Sequence, residues 1–465
     1  MIHKFKIFNN YIVLDVESGC VHIVDELTFL ILDYVDFKNK EESLNNVLEK
    51  FKEIEKDELI KRFEELFFLY RKGSLFFEFD YKKLKNIAKE SVIKALCLHV
   101  AHDCNLRCRY CFASTGDFKQ GRKLMSYDTA KKAVDFLIER SLNRRNLEVD
   151  FFGGEPLLNF DVVKKTIEYA KKIEKKYNKN FRFTITTNGM LLDSEKIQYI
   201  NENMSNVILS IDGRKSVNDS FRVTRNLTGS YDIIMPKFLE FVKKRKDKEY
   251  HVRGTFTRYN LDFFRDFVHF YQKGFKNISI EPVVCEEDKE YSIKKEDLPK
   301  IFAEYEKLAK FIVKEKENGY DVNFFHFNID LNYGPCIIKR LRGCGSGCEY
   351  LAVSPNGDLY PCHQFVGENE YFMGNLFEND FNEELKEKFS KTNLIYKKDC
   401  EKCWAKYYCG GGCNANNVKF RGSMLKPYLI GCEMEKKRVE LAIGIKALFF
   451  KKDRLNLKNL GEAVK

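Results

Sequence analysis

No stretch of this sequence approaches about 18 consecutive apolar residues, which excludes an ordinary helical membrane span. The start, MIHKFKIFNNYIVLDV, lacks an apolar run leading to a small-residue cleavage site. No secretory signal is therefore expected, and a cytoplasmic location is. There is no long internal repeat, no low-complexity tract and no module built to read a nucleic-acid groove. The net charge of +11 is spread over Lys-rich helical faces rather than gathered in one block. A solvated basic surface is the plain reading of it, and attraction to an anionic ligand or peptide is the alternative. Neither membrane nor nucleic acid is an expected partner.

What is present begins with size. The 465 residues exceed the roughly 250–300 at which one core stops growing, so two or three domains are expected. Apolar residues at 44% and charged residues at 32% describe a globular chain. The fifteen cysteines are the decisive fact. Without a secretion signal they point to metal or redox chemistry rather than disulfides. They are also clustered: three lie within Cys104–Cys111 and eight lie from Cys336 to Cys413. Core cysteines scatter, whereas ligands gather.

The pattern divides the chain into 1–85, 86–330, 331–450 and a tail, 451–465. In the first unit, the runs KFKIF, YIVLDV and CVHIVD are separated by the turn signals NN and SG, and three helical patterns follow. From about 90 to 285 six strand-like runs alternate with amphipathic helices. Parallel strands with helical crossovers are implied. Six units are too few for a closed eight-stranded barrel, so an open partial barrel or a doubly wound sheet fits the pattern. Residues 295–318 read as one long bridging helix. From 331 to 432 periodicity fades and nine cysteines appear, as in a region that needs metal staples.

Cys104-x3-Cys108-x2-Cys111 directly follows the first strand of the alternating region, and loops at carboxyl ends of parallel strands are where ligands bind. Structural zinc wants a fourth ligand. Three thiolates alone suit a four-iron cube with one iron left for a substrate or cofactor. This motif, with Tyr110 before its last cysteine, resembles that of the radical S-adenosylmethionine (SAM) enzymes. The resemblance implies a partial (β/α)6 barrel in which Cys104, Cys108 and Cys111 hold a [4Fe–4S] cluster that reduces SAM to a 5′-deoxyadenosyl radical. It also implies SAM contacts from Tyr110, from Gly153, Gly154 and Glu155 in the FGGEP motif, and from Thr187 and Asn188 in TNG. Ser210 in LSIDG and Arg222, a guanidinium suited to the SAM carboxylate, complete the set.

The later cysteines run Cys344-x12-Gly357-x4-Cys362, then Cys400-x2-Cys403-x5-Cys409-x3-Cys413, then Cys432. Seven ligands are too many for one zinc and suit two iron–sulfur clusters. The spacing resembles the SPASM extension. By that resemblance Cys400, Cys403, Cys409 and Cys432 hold an outer auxiliary cluster, and Cys344, Cys362 and Cys413 an inner one. Cys336 is the candidate fourth inner ligand, Cys348 is an unplaced extra, and an open inner iron could take a peptide thiolate. Three [4Fe–4S] clusters and SAM are the implied cofactors.

The first unit resembles the winged-helix-like α+β peptide-recognition domain of enzymes that modify ribosomal peptides, where a precursor's leader adds as a strand to an open sheet edge. Joined to the two later domains, it resembles the maturases of SCIFF peptides, which form thioether links in a small cysteine-rich precursor. That implies a precursor peptide and an electron donor such as flavodoxin or ferredoxin as partners. Another SPASM-type enzyme, such as one making formylglycine in a sulfatase, is the alternative. No protein acid–base pair stands out as a catalytic site beyond the clusters.

Overall fold

A computed structural model describes residues 1–79, 91–331, 337–378 and 380–463. The chain opens with a three-stranded antiparallel sheet: β1 (Ile2–Ile7), β2 (Asn10–Asp15) and β3 (Val21–Val24), in that order. Phe8 and Asn9 turn between β1 and β2 with φ of 48° and 59°, the two positive values that a tight hairpin requires. Three helices follow, at Glu26–Ile31, Lys40–Lys50 and Lys56–Arg71. The last buries Leu59, Phe63, Leu66 and Phe67 at helical spacing against Val13 and Val47.

The second part is built on parallel strands. β4 (Ala95–His102), β6 (Asn146–Gly153), β7 (Asn180–Thr187), β8 (Asn206–Ser210), β9 (His251–Phe256) and β10 (Asn277–Pro282) lie side by side in chain order. A short β5 (Lys123–Leu124) pairs antiparallel with the end of β4. These six parallel strands are the six runs read from the sequence. The α/β architecture with its parallel-sheet core is therefore as expected. Val149 and Phe151 of β6 and Phe183 and Ile185 of β7 face the crossover helices in one continuous core. The alternate positions, such as Asp150 and Phe152, face the concave side.

The sheet does not stop at six strands. β11 (Asn323–Phe324) adds in parallel beyond β10. At the other edge, β12 (Tyr350–Val353) from the cysteine-rich region pairs in parallel with β4, Tyr350 opposite Ala95 and Val353 opposite Leu98. β13 (Leu359–Tyr360) then returns antiparallel to β12. This explains why β4 is buried along its whole length. The sequence reading missed this pairing, because YLAV is short and its partner lies some 250 residues away.

The bridging helix is Leu298–Glu317. It shares a core with a second long helix, Leu429–Ala463, and Lys437 on that helix pairs with Glu306. That helix continues across position 450, where the sequence reading began a tail. No proline interrupts 429–463, so nothing in the chain stops it. Among the described residues no helix is long and apolar enough to cross a membrane.

The front unit is packed against the cysteine-rich region. Phe5, Ile12, Leu14 and Val16 share a cluster with Cys400, Tyr407, Tyr408 and Ile443. Gly444 lets the long helix approach β1, since a Cβ there would lie 2.5 Å from Ile7 Cγ2. Glu17 accepts from Lys406 Nζ (2.7 Å) and from the Tyr407 hydroxyl (2.8 Å), both buried contacts. The His3 ring stacks on Trp404 with centroids 3.8 Å apart. Removing one member of a buried ion pair strands the other, at about 3–5 kcal/mol. Lys406→Ala is accordingly expected to release the front sheet. In hydrogen exchange, protection of β1–β3 should fall sharply while β6–β8 keep theirs. Unchanged protection of the front strands would refute that coupling.

Candidate functional site

The carboxyl ends of β4, β6, β7 and β8 deliver their loops to one rim, and a cavity lies there. Cys104, Cys108 and Cys111 from the loop after β4 line one wall of it. Gly153, Gly154 and Glu155 after β6, Thr187 and Asn188 after β7, and Ser210 at the end of β8 line the rest. Tyr110 and Arg222 complete the lining. The structure thus brings every candidate residue of the first cysteine motif and its strand-end partners to one pocket.

Local packing explains the glycines. At Gly154 a Cβ would sit 2.2 Å from the Asp103 carbonyl oxygen and 3.0 Å from Gly116 Cα. Gly153 has φ of 128°, and a Cβ there would meet the Ala101 oxygen at 2.2 Å. The end of β6 therefore runs close beneath the cysteine loop only because both side chains are absent.

Glu155 is fully buried. Its carboxylate accepts from Thr187 Oγ1 (2.7 Å), the Asn188 amide (2.8 Å) and the Leu157 amide (3.1 Å). Burial pushes its pKa up to about 7 in spite of those donors. Glu155 is thus a strut tying the end of β6 to the end of β7, with both oxygens engaged by the protein. Asn188 extends the tie, donating to Asn105 Oδ1 at 2.8 Å and to Cys104 Sγ at 3.5 Å.

Arg222 is anchored through Nε to Asp212 Oδ1 at 2.9 Å, and Tyr110 donates to Asp212 Oδ2 at 2.5 Å. The guanidinium also lies over the Tyr110 ring, 5.7 Å from its centroid. Burial opposes the charge on Arg222, but Asp212 and its surroundings hold its pKa well above the usual range. Among the described residues the Arg222 guanidinium hydrogen-bonds only through Nε, and it faces the pocket. Sequence reasoning missed Asp212 and Asn105. Asp212 was visible in LSIDG, but its two partners come from other loops.

Burial pushes the Cys104 and Cys108 thiols up to about 12. Among the described residues no three His, Cys, Asp or Glu side chains are grouped to hold a single metal ion. What the three thiols make is one wall of a larger cavity. Three soft donors, close glycine backbones and a fixed guanidinium suit an iron–sulfur cube with an amino-acid-bearing cofactor beside it.

The later cysteines form two sets. Cys344 and Cys413 both raise the Cys362 thiol, in addition to its burial. Cys409, Cys400 and Cys403 likewise add to the burial that takes Cys432 up to about 12. Within each set the thiols are near enough for their charges to interact. Cys348 is buried, lies in the field of Cys344, and donates to the Gly345 carbonyl. Cys336 lies outside the described residues. His363, next to Cys362, packs at a tilt on Phe152 (5.0 Å) and Phe112 (5.7 Å), so Cys362 adjoins the first pocket.

Raised thiol pKa values carry a sign. At neutral pH Cys104 and Cys108 keep their protons until a metal displaces them, so loading releases protons and weakens as pH falls. Anaerobic reconstitution followed from pH 8.5 to 6.5 should therefore slow steadily, with proton release seen in weakly buffered solution. Loading that ignores pH would contradict the buried-thiol geometry.

Residues 98–261 match the family model described as the radical SAM superfamily, and residues 344–404 match SPASM, an iron–sulfur cluster-binding domain. A cysteine-type anaerobic sulfatase-maturating enzyme of Clostridium novyi is 26% identical over 68% of this chain and 86% of its own length. The radical SAM cyclopropyl synthase TigE of Paramaledivibacter caminithermalis is 24% identical over 93% of this chain and 91% of its own. Among solved structures, native anSMEcpe with bound AdoMet and Cp18Cys peptide superposes with a TM-score of 0.61 at 23% identity. That superposition covers 80% of this chain and 99% of that one.

Proposed function

We propose that this chain, a radical SAM domain joined to a SPASM domain, is a peptide maturase that forms thioether links between cysteine sulfur and carbon in a small cysteine-rich precursor of the SCIFF type. The observation that carries the reading is the front sheet. Among the described residues β3 pairs only with β2, so its outer edge is open to an added strand. The same unit is fixed by Glu17 to Lys406 and Tyr407, between Cys403 and Cys409. A leader bound at that edge is thereby tethered to the cysteine-rich region.

The proposal divides the chain as the sequence reading did: recognition in 1–85, radical chemistry in 86–330, auxiliary clusters in 331–450. Cys104, Cys108 and Cys111 would hold the SAM cluster. Cys344, Cys362 and Cys413, with Cys336 as a fourth candidate, would hold the inner auxiliary cluster. Cys400, Cys403, Cys409 and Cys432 would hold the outer one. When bound, the first cluster with SAM supplies a 5′-deoxyadenosyl radical, for which an outside donor such as flavodoxin or ferredoxin provides the electron.

The chain's own residues bind and orient. Arg222, held by Asp212 and lying over Tyr110, would bind the SAM carboxylate with the guanidinium nitrogens that Asp212 does not take. The backbone at Gly153 and Gly154 would hold the methionine part of SAM, and Ser210, Thr187 and Asn188, which line the same cavity, would hold its ribose. Glu155 keeps these loops in register rather than meeting the cofactor through a free carboxylate. Link formation breaks one S–H and one C–H bond and makes one S–C bond, a two-electron oxidation that SAM would balance overall by cleavage to methionine and 5′-deoxyadenosine with release of one proton.

The second reading is formylglycine formation, favoured by the similarity to sulfatase-maturating enzymes. The two differ in product. With SAM, a reductant and a cysteine-rich peptide of precursor type, the thioether reading expects a product lighter by two hydrogens that resists thiol alkylation and hydrazide probes. A hydrazide-reactive product would decide for formylglycine. Arg222→Ala, losing charge-assisted hydrogen bonds, is expected to weaken SAM binding about 10- to 100-fold at unchanged iron content. Unaltered SAM affinity in that variant would remove Arg222 from the site.

A further inference from the structure

Lys397 lies three residues before Cys400 and is only 1% exposed. Its ammonium donates to the Gly411 carbonyl at 2.8 Å and to Asn414 Oδ1 at 3.1 Å. Both acceptors are neutral, and no carboxylate among the described residues pairs with it. The fit is close. Gly411 has φ of 90°, and a Cβ there would meet Lys397 Cδ at 3.0 Å and Nζ at 3.2 Å. Asn414 is itself fixed, donating to Ser346 Oγ at 3.1 Å and Thr392 Oγ1 at 3.0 Å.

A buried cation without an anion is costly unless negative charge is brought to it. Burial lowers the Lys397 pKa, and the groups that oppose this are cysteines of both later sets, which become negative only as thiolates: Cys400 and Cys409 of one, Cys413 and Cys344 of the other. The ammonium is bonded to the glycine turn that joins Cys409 of one set to Cys413 of the other, and to Asn414 beside Cys413. Reduction adds a negative charge to a cluster, and a nearby cation in a poorly screened interior stabilises that added charge.

We propose that Lys397 is a positioning residue shared by the two auxiliary sites, whose buried ammonium raises the reduction potential of both. This rests on the reading that the two cysteine sets hold four-iron clusters. The same charge would help both sites accept electrons without touching substrate or SAM. A merely structural lysine, by contrast, would matter for packing and leave the potentials alone.

The test uses the full chain, reconstituted anaerobically, as wild type and as Lys397→Arg, Lys397→Gln and Lys397→Met. Iron and sulfide are counted first, and each cluster's potential is then followed by redox titration with paramagnetic resonance detection. The SAM cluster, recognised by its response to added SAM, is the internal reference. Expected in Lys397→Gln and Lys397→Met is about a tenfold loss or more in the reduction equilibrium of both auxiliary clusters, which is about 59 mV for a one-electron couple. Lys397→Arg should stay near wild type, and the SAM cluster should not move. Loss of auxiliary iron in the Gln and Met variants with retention in Arg would also support a requirement for the charge. Unchanged potentials in fully loaded Lys397→Gln, or an equal effect in Lys397→Arg, would overturn the proposal. A wild-type count near four irons would show instead that the auxiliary-cluster reading is wrong, before any variant is compared.

Discussion

The pairing of β12 with β4 is the constraint on which the rest depends. β4 ends in the loop that carries Cys104, Cys108 and Cys111, while β12 lies between Cys348 and Cys362. Four residues of parallel ladder thus fix the position of two cysteine regions that are more than 200 residues apart in sequence. Cys97 and Ala352, opposite each other across that ladder, share a small core with Ala113 and Phe118. His363 then packs on Phe152, which immediately precedes Gly153 and Gly154. The approach of the inner cysteine set to the first pocket follows from backbone hydrogen bonding, with side chains filling the contact.

A second layer of order is electrostatic. Several buried polar groups near the sites are answered from another part of the chain: Arg222 by Asp212, Glu17 by Lys406, and Glu155 by the Asn188 amide and the Thr187 hydroxyl. Such groups are destabilising when left unpaired and orienting when paired. This is how loops with few apolar residues keep a defined shape. The front unit takes part in the same way, because its anchor residues lie within the outer cysteine loop. The front unit and the Cys403–Cys409 segment are therefore physically joined, through Glu17 and the Trp404–His3 stack.

Much of this was legible in the sequence, for identifiable reasons. The six parallel strands announce themselves by β-branched runs such as FRFTITT between amphipathic helices. The motif residues fall at strand ends, so their convergence on one rim follows from the topology. The short pairings and cross-loop ties were not legible. YLAV offers no sign that it seeks β4, and nothing local marks Lys406 as the partner of Glu17. Asp212 and Lys397 look like ordinary surface charges until their neighbours are known. The long helix Leu429–Ala463 was not legible either: the sequence reading made no helix of 429–450 and began a tail at 451.

The most direct measurement of the central claim is iron and acid-labile sulfide in the anaerobically reconstituted chain, beside the Cys104/Cys108/Cys111→Ala triple variant. About twelve irons per chain, falling by about four in the variant together with loss of reductive SAM cleavage, is the expected result for three four-iron clusters. Zinc in place of iron after reconstitution, or SAM cleavage that survives the triple substitution, would contradict the account.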